Sequence, residues 1–322
     1  MKPIRIGVVG CGDFGERHVR TVAALPEYEL VALADRNTER ATHLGRELGA
    51  LACEDLPSML AATPVDAVVI ATPPAAHNDD IRVCLERSIP CLTEKPLVDT
   101  RAGWFELSQL SDAEKRLVCP AHISRFLPSF AQLQTELGDE RVMTIRATRI
   151  VPRARLDLHG EVHPALSAMV HDLDLVRALI QSPLAAVHSE QEWVDVSRPF
   201  PQRVTATLEF AGGETAIVQN HWTQSHERQY IDATLDVETA TQRAKMSLPG
   251  RALTLNREDG LHVPEIDLDG AVAGVPTGAL ATQLRHFAAY VSGARSHFDV
   301  PFDDALWSVD AALTIAEQMP AR

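Results

Sequence analysis

Three glycines near the amino terminus constrain this chain more than any other feature. Ile4-Arg5-Ile6-Gly7-Val8-Val9 reads as a buried β-strand, and Gly10-Cys11-Gly12-Asp13-Phe14-Gly15 follows it without a break. A helical pattern then runs from Asp13 to Leu25 and stops at Pro26. The loop therefore has G-x-G-x-x-G spacing between a strand and a helix. A side chain at Gly12 would collide with a pyrophosphate, and one at Gly15 would hold the helix off the strand. Main-chain N–H groups and the positive helix end then face the phosphates. Turns use glycine freely, so the context has to carry the inference. The next strand, Leu30 to Ala34, ends on Asp35, twenty positions after Gly15, where the ribose hydroxyls of a dinucleotide would lie. Cys11 sits where the loop needs a small residue and reads as packing.

A chain of 322 residues is too long for one ordinary core and implies two domains. Its 45% hydrophobic and 23% charged residues suit a globular fold and exclude disorder. A formal charge of −14 argues against nucleic acid or an anionic membrane as partner, since both require clustered Lys and Arg. Met1-Lys2-Pro3 runs straight into the first strand with no secretory signal, and no apolar stretch approaches spanning length. The five cysteines form no C-x-x-C pair and are odd in number, which fits free thiols in the cytoplasm.

From residue 1 to 121 strand and helix alternate. Helices are expected from Thr38 to Leu48, Leu56 to Ala61, Asn78 to Arg87 and Arg101 to Ser111. Strands are expected from Ala50 to Cys53, Val65 to Thr72, Pro90 to Glu94 and Leu117 to Pro120. The run around Val68-Val69-Ile70 is apolar on both faces, as in a central parallel strand covered by helices. Such repeated units predict an α/β, doubly wound parallel sheet as a dinucleotide-binding domain over 1–121. Over 122–322 the pattern changes to an α+β domain with a large, mostly antiparallel open sheet. Its expected strands are Val142 to Val151, Val187 to Val196, Arg203 to Phe210, Glu214 to Trp222, Gln229 to Val237 and Thr241 to Ser247. Helices are expected from Pro128 to Leu137, Pro164 to Ile180, Leu280 to Ser292 and Phe302 to Gln318. An open sheet needs a cover, and a sister subunit is one candidate.

Ligands of such a sheet lie beyond the carboxyl ends of its strands. Three strand ends matter: the glycine loop with Asp35 and Arg36, then Thr72-Pro73-Pro74 with His77, then Glu94-Lys95-Pro96. Lys95, at a strand exit, can meet a substrate hydroxyl if burial or nearby positive charge tunes its ammonium. The plainer alternative is a surface lysine paired with Glu94. In the second half, Ser167 and His171 stand one helical turn apart, and a histidine there can share a proton or orient a substrate, or simply be structural. His159, His163, His171, Asp172 and Asp174 also raise a metal site. They lack a two-histidine helical ligand pair, because His159 falls beside Gly160 in a loop, so no metal is expected. Arg125 and the loop from Arg153 to His163 are candidate substrate contacts by position.

Taken together and in order, these motifs are specific. They are Gly7 to Gly15 with His18, Ala34-Asp35-Arg36, Ala71-Thr72-Pro73-Pro74 with His77, and Glu94-Lys95-Pro96-Leu97. Then come His122 with Arg125-Phe126, His171-Asp172-Leu173-Asp174, and Gln283-Leu284-Arg285-His286-Phe287 with Pro301 and Asp304-Ala305. The chain resembles the glucose-fructose oxidoreductase, inositol dehydrogenase and rhizopine-catabolism (Gfo/Idh/MocA) family over nearly its whole length. The resemblance implies NAD(P)-dependent oxidation or reduction of a sugar, cyclitol or related polyol, and assembly as homodimers or homotetramers through the open sheet. It implies Lys95 and His171 as the catalytic pair. Many members carry an aspartate where this chain has Ser167, a departure that leaves His163 or Asp172 as substitutes. It is also the one feature that would suit a catalytically impaired nucleotide-binding sensor of the same fold. Asp35 favours NAD(H) over NADP(H), whose 2′-phosphate Arg36 could still accommodate. The expected cofactor contacts are Gly10, Cys11, Gly12, Asp13, Phe14, Gly15, Asp35, Arg36, Thr72, Pro73, Pro74, His77, Glu94 and Lys95. The expected substrate contacts are Lys95, Arg125, His163, Ser167 and His171.

Overall fold

Six short strands in the first 121 residues pair side by side, all parallel. They are β1 (Ile4–Val9), β2 (Tyr28–Ala34), β3 (Leu51–Cys53), β4 (Ala67–Ile70), β5 (Cys91–Glu94) and β6 (Val118–Ala121). Their spatial order is β3-β2-β1-β4-β5-β6, so the chain reverses direction across the sheet between β1 and β4. This comes from a computed structural model, which describes every residue except 1, 157–161, 225–230, 249–254, 258–259, 263–269 and 321–322.

β4, β5 and β6 are buried at every position, as strands covered on both faces must be. Helices α1 (Asp13–Ala24), α2 (Thr38–Leu48), α3 (Leu56–Ala62), α4 (Pro74–Glu86) and α5 (Arg101–Ser108) join them. Two helix boundaries depart from expectation by more than one residue. α4 starts four residues before Asn78, because Pro74 occupies the first helical turn, where its missing N–H costs nothing. The helix expected to continue to Ser111 ends at Ser108, and Ser111 caps a separate short helix, α6 (Asp112–Lys115), by a reciprocal bond with Glu114.

Packing divides the chain into Met1–Phe126 with Leu268–Leu306, and Leu127–Asp267 with Trp307–Arg322. The single boundary expected at 121/122 thus becomes three crossings. Residues of the carboxyl-terminal third return to the first unit because they carry an apolar face and polar anchors for it. Tyr28 donates to the Leu284 carbonyl at 2.5 Å and Tyr290 to the Arg116 carbonyl at 2.7 Å.

The second unit contains a six-stranded sheet in the order β12-β11-β7-β10-β9-β8. Its members are β7 (Val142–Pro152), β8 (Leu184–Glu192), β9 (Arg203–Phe210), β10 (Thr215–Gln224), β11 (Asp232–Thr239) and β12 (Arg243–Leu248). All pairings are antiparallel except β7 with β10. β8 ends at Glu192, so Val194 and Val196, expected inside a strand, lie beyond it and are exposed. Gln229, the expected start of the next strand, lies outside the described residues. β9 alternates buried and open positions, leaving one face covered and the other half-exposed.

The helix expected from Pro164 to Ile180 has two parts. A π-helical turn, Ala165–Met169, leads into an α-helix, Val170–Leu179. Wide turns of this kind concentrate at functional positions. Among the described residues no helix is long and apolar enough to cross a membrane.

Candidate active site

The glycine loop has the shape its spacing predicts. Gly10 adopts φ +90°, and a Cβ there would stand 2.4 Å from the Ala71 carbonyl carbon and oxygen. A Cβ on Gly15 would stand 1.9 Å from the Gly10 oxygen, so α1 approaches the loop only because position 15 is bare. Gly12 differs, since nothing lies within 4 Å of the Cβ it lacks. That open cradle at the start of α1 is space a side chain would fill and a diphosphate fits, beside main-chain N–H groups.

Asp35 closes the loop from the side. Its Oδ2 accepts from the Cys11 N–H at 2.6 Å and its Oδ1 from the Asn37 N–H at 2.7 Å. Each carboxylate oxygen keeps a lone pair for a ribose hydroxyl. Burial, with the Asp35 charge adding to it, pushes the Cys11 thiol up to about 12, so it stays protonated and inert, consistent with a packing role.

At the end of β4, Thr72 donates its hydroxyl to Asp80 at 2.7 Å, and burial raises the Asp80 carboxyl above its ordinary range. His77 is fully buried. Its Nε2 lies 2.8 Å from the Thr72 carbonyl and its Nδ1 2.8 Å from the Pro96 carbonyl. It thereby ties the β4 exit to the segment carrying Lys95, so its contribution here is to shape the loop. Glu94 is buried at the end of β5, and Lys95 follows it half-buried, before a cis Pro96. Lys95 is thus partly shielded by its surroundings, directly beside the Glu94 carboxylate. Arg125 lies in a 3-10 turn, Ile123–Phe126, with Nη1 and Nη2 each 3.3 Å from Asp304 Oδ2. Its charge is balanced within the unit by that buried carboxylate.

In the second unit, Ser167 and His171 are the only partly exposed positions between 163 and 176, which agrees with a shared helix face. His163 belongs elsewhere. It is 3% exposed, its Nδ1 accepts from the Ala165 N–H at 3.1 Å, and its Nε2 lies 3.1 Å from Gln191 Oε1. Its carbonyl also accepts from Leu166 and Ser167. Both ring nitrogens have protein partners, and burial lowers the ring's pKa, so the geometry gives His163 a structural role at the start of the π-turn. Asp172 likewise is no substitute for a missing aspartate. It is wholly buried and meets Arg149 of β7 in a two-pronged pair, Nε to Oδ2 and Nη2 to Oδ1, each 2.8 Å. His159 lies outside the described residues, and among those described no cluster of three metal-ligating side chains occurs.

Sequence reasoning missed three pairings: Arg149 with Asp172, Arg125 with Asp304, and His18 with Glu94. A signal for the first was present. Ile145, Ala147, Arg149 and Val151 share one parity in β7, so a cation stands in the apolar row and demands a buried anion.

A profile of the oxidoreductase family with an NAD-binding Rossmann fold matches residues 4–122. Inositol 2-dehydrogenase 1 of Saccharopolyspora erythraea is 30% identical over 224 residues, 67% of this chain and 66% of that protein. UDP-N-acetylglucosamine 3-dehydrogenase of Acidithiobacillus ferrooxidans is 31% identical over 177 residues, 55% of this chain and 54% of that one. The match thus spans about two thirds of the first relative and about half of the second. The crystal structure of a myo-inositol dehydrogenase from Corynebacterium glutamicum shares the fold, with a TM-score of 0.80 at 21% identity over 99% of this chain and 100% of that one. With the glycine cradle, the Asp35 and Lys95 strand ends and the mixed second sheet, these likenesses identify the chain as a member of the Gfo/Idh/MocA oxidoreductase family, its amino-terminal part an NAD-binding Rossmann fold.

Proposed function

We propose that the chain is an NAD(H)-dependent dehydrogenase or reductase of a secondary alcohol or ketone in a sugar, cyclitol or related polyol. The open cradle over Gly12, on the same parallel sheet as Lys95, carries the reading. Bound NAD supplies the two-electron chemistry. The protein's own residues bind, orient and move a proton. Main-chain N–H groups from Gly10 to Gly15 hold the diphosphate, with Asp13 and Phe14 shaping the helix start. Asp35 takes ribose hydroxyls and Arg36 borders them. Thr72, Pro73 and Pro74 line the neighbouring strand end. Lys95 holds the reacting hydroxyl and takes or returns its proton, and His171 orients that hydroxyl, the roles the family resemblance implies. Ser167, on the face of His171, and Arg125 are further substrate contacts. Two relatives, an inositol 2-dehydrogenase and a UDP-N-acetylglucosamine 3-dehydrogenase, support this substrate class. We assign homo-oligomer formation to the half-exposed face of the second sheet, and a cytoplasmic setting to the free thiols.

Two measurements test the reading. Fluorescence titration compares NADH with NADPH, and tighter NADH binding is expected because the Asp35 carboxylate repels a 2′-phosphate. A polyol and sugar panel, followed at the absorbance of reduced nicotinamide, is expected to give a substrate whose turnover falls about 10²–10⁴-fold in Lys95→Ala while NADH still binds. Undiminished turnover in that variant removes Lys95 from the chemistry. Binding without turnover on any member of the panel would instead favour the sensor reading.

A further inference from the structure

The buried residues of α1 form the stripe Gly15, His18, Val19, Thr21 and Val22. His18 stands in it at 0% exposure, where an aliphatic side chain would fill the same space without desolvating an imidazole. Its Nε2 lies 2.9 Å from Glu94 Oε1, while no partner lies within reach of its Nδ1 among the described residues. A half-satisfied buried histidine is a poor device for stability alone. Its neighbours on both sides belong to the site. The Phe14 ring of the glycine loop meets it edge-on at 5.4 Å between centroids, and Glu94 adjoins Lys95. The second oxygen of Glu94, Oε2, accepts from the main-chain N–H of Lys95 at 3.2 Å.

We propose that His18 is a positioning residue for Lys95, acting through the Glu94 carboxylate; this rests on the catalytic reading of Lys95. His18 holds one oxygen of Glu94 and the Lys95 main chain holds the other. The carboxylate is thereby fixed in one orientation beside the lysine. With His18 gone, Oε1 is released, and the freed carboxylate turns toward the ammonium and stabilises its charged form. His18 thus keeps Lys95 ready to exchange a proton, and couples that readiness to the helix that starts at the cofactor loop.

The test needs no substrate. The chain has only four lysines, Lys2, Lys95, Lys115 and Lys245. Reductive ¹³C-methylation of the full chain, followed by NMR titration, reads each ammonium separately, and Lys95→Arg assigns the Lys95 signal. In His18→Leu the Lys95 midpoint is expected to rise by about one pH unit, with the other lysines unmoved. In His18→Gln, whose amide keeps an N–H donor for Oε1, the midpoint is expected to return to the parent value. In a Glu94→Gln background His18→Leu is expected to have no effect on it. An unchanged midpoint in His18→Leu, or an equal shift with and without Glu94, overturns the proposal, as does a shift shared by all four lysines. Should His18→Leu fail to fold, His18→Ala takes its place, with the same rise in the Lys95 midpoint expected and the same outcomes overturning the proposal. Turnover of Lys95→Ala is scored separately, so the positioning role and the catalytic reading can fail independently.

Discussion

Asp35 and Asp172 are both carboxylates held by two donors, and the donors differ in kind. Asp35, half-exposed, takes two main-chain N–H groups of its own unit, from Cys11 and Asn37. Asp172, fully buried, takes the guanidinium of Arg149 from a strand 23 residues earlier. Main-chain donors carry no net charge and come with the backbone, so an acid bound to them keeps lone pairs available to a ligand. A guanidinium cancels the charge and closes the site to solvent. The first arrangement serves recognition. The second holds the α-helix from Val170 to Leu179 against β7, with His171 immediately beside the anchored residue.

That contrast can be broken by substitution. The largest effect is expected on cutting the buried pair. Arg149→Leu or Asp172→Asn leaves one polar partner stranded and should cost about 3–5 kcal/mol in urea unfolding, whereas replacing both by apolar residues should recover most of it. If the singles are mild, the pair does not anchor the helix. Asp35→Asn comes next, costing roughly 1–2 kcal/mol of stability because the lost bonds are half-exposed, with weaker NADH binding in titration as its main signature. A loss as large as that of Asp172→Asn would erase the distinction. A smaller, pH-dependent term should come from His163. Burial holds its folded pKa below the ordinary 6.5, so its contribution is complete above that value and is lost as pH falls through the lowered folded one. Stability measured against pH should fall on the acid side, and His163→Asn, which keeps an acceptor for the Ala165 N–H, should flatten that slope. Least affected should be Arg20→Ala on the exposed face of α1. Its ion pairs with Glu16 and Glu47, each 2.7 Å apart, lie in solvent, and their loss should leave the midpoint of the same unfolding assay nearly unmoved.

The same contrast explains how much could be read in advance. Thr38–Leu48, Pro128–Leu137 and Arg203–Phe210 form over the residues their periodicity predicts, because caps, prolines and alternation are local signals. The glycine cradle was legible for a similar reason, since steric demands at Gly10 and Gly15 involve a loop and the strands flanking it. Alternation along β7 and β10 shows that each has a buried face but says nothing of direction. Their parallel pairing depends on which connections the chain takes. The π-turn was invisible because Ala165 to Met169 has ordinary helical residues. Pairings such as His18 with Glu94 span 76 residues and answer to tertiary closeness alone.

The return of residues 268–306 to the amino-terminal unit also has a meaning for biosynthesis. Tyr28 emerges from the ribosome long before Leu284, the acceptor of its hydroxyl, has been translated. A fragment ending near residue 126 would contain every strand of the nucleotide-binding sheet and still lack the helix Ala279–Val291, which carries Leu284. Until the last fifth of the polypeptide is made, that half stays unfinished, so excising it at the apparent end of the Rossmann pattern should yield an aggregation-prone piece, not a working module.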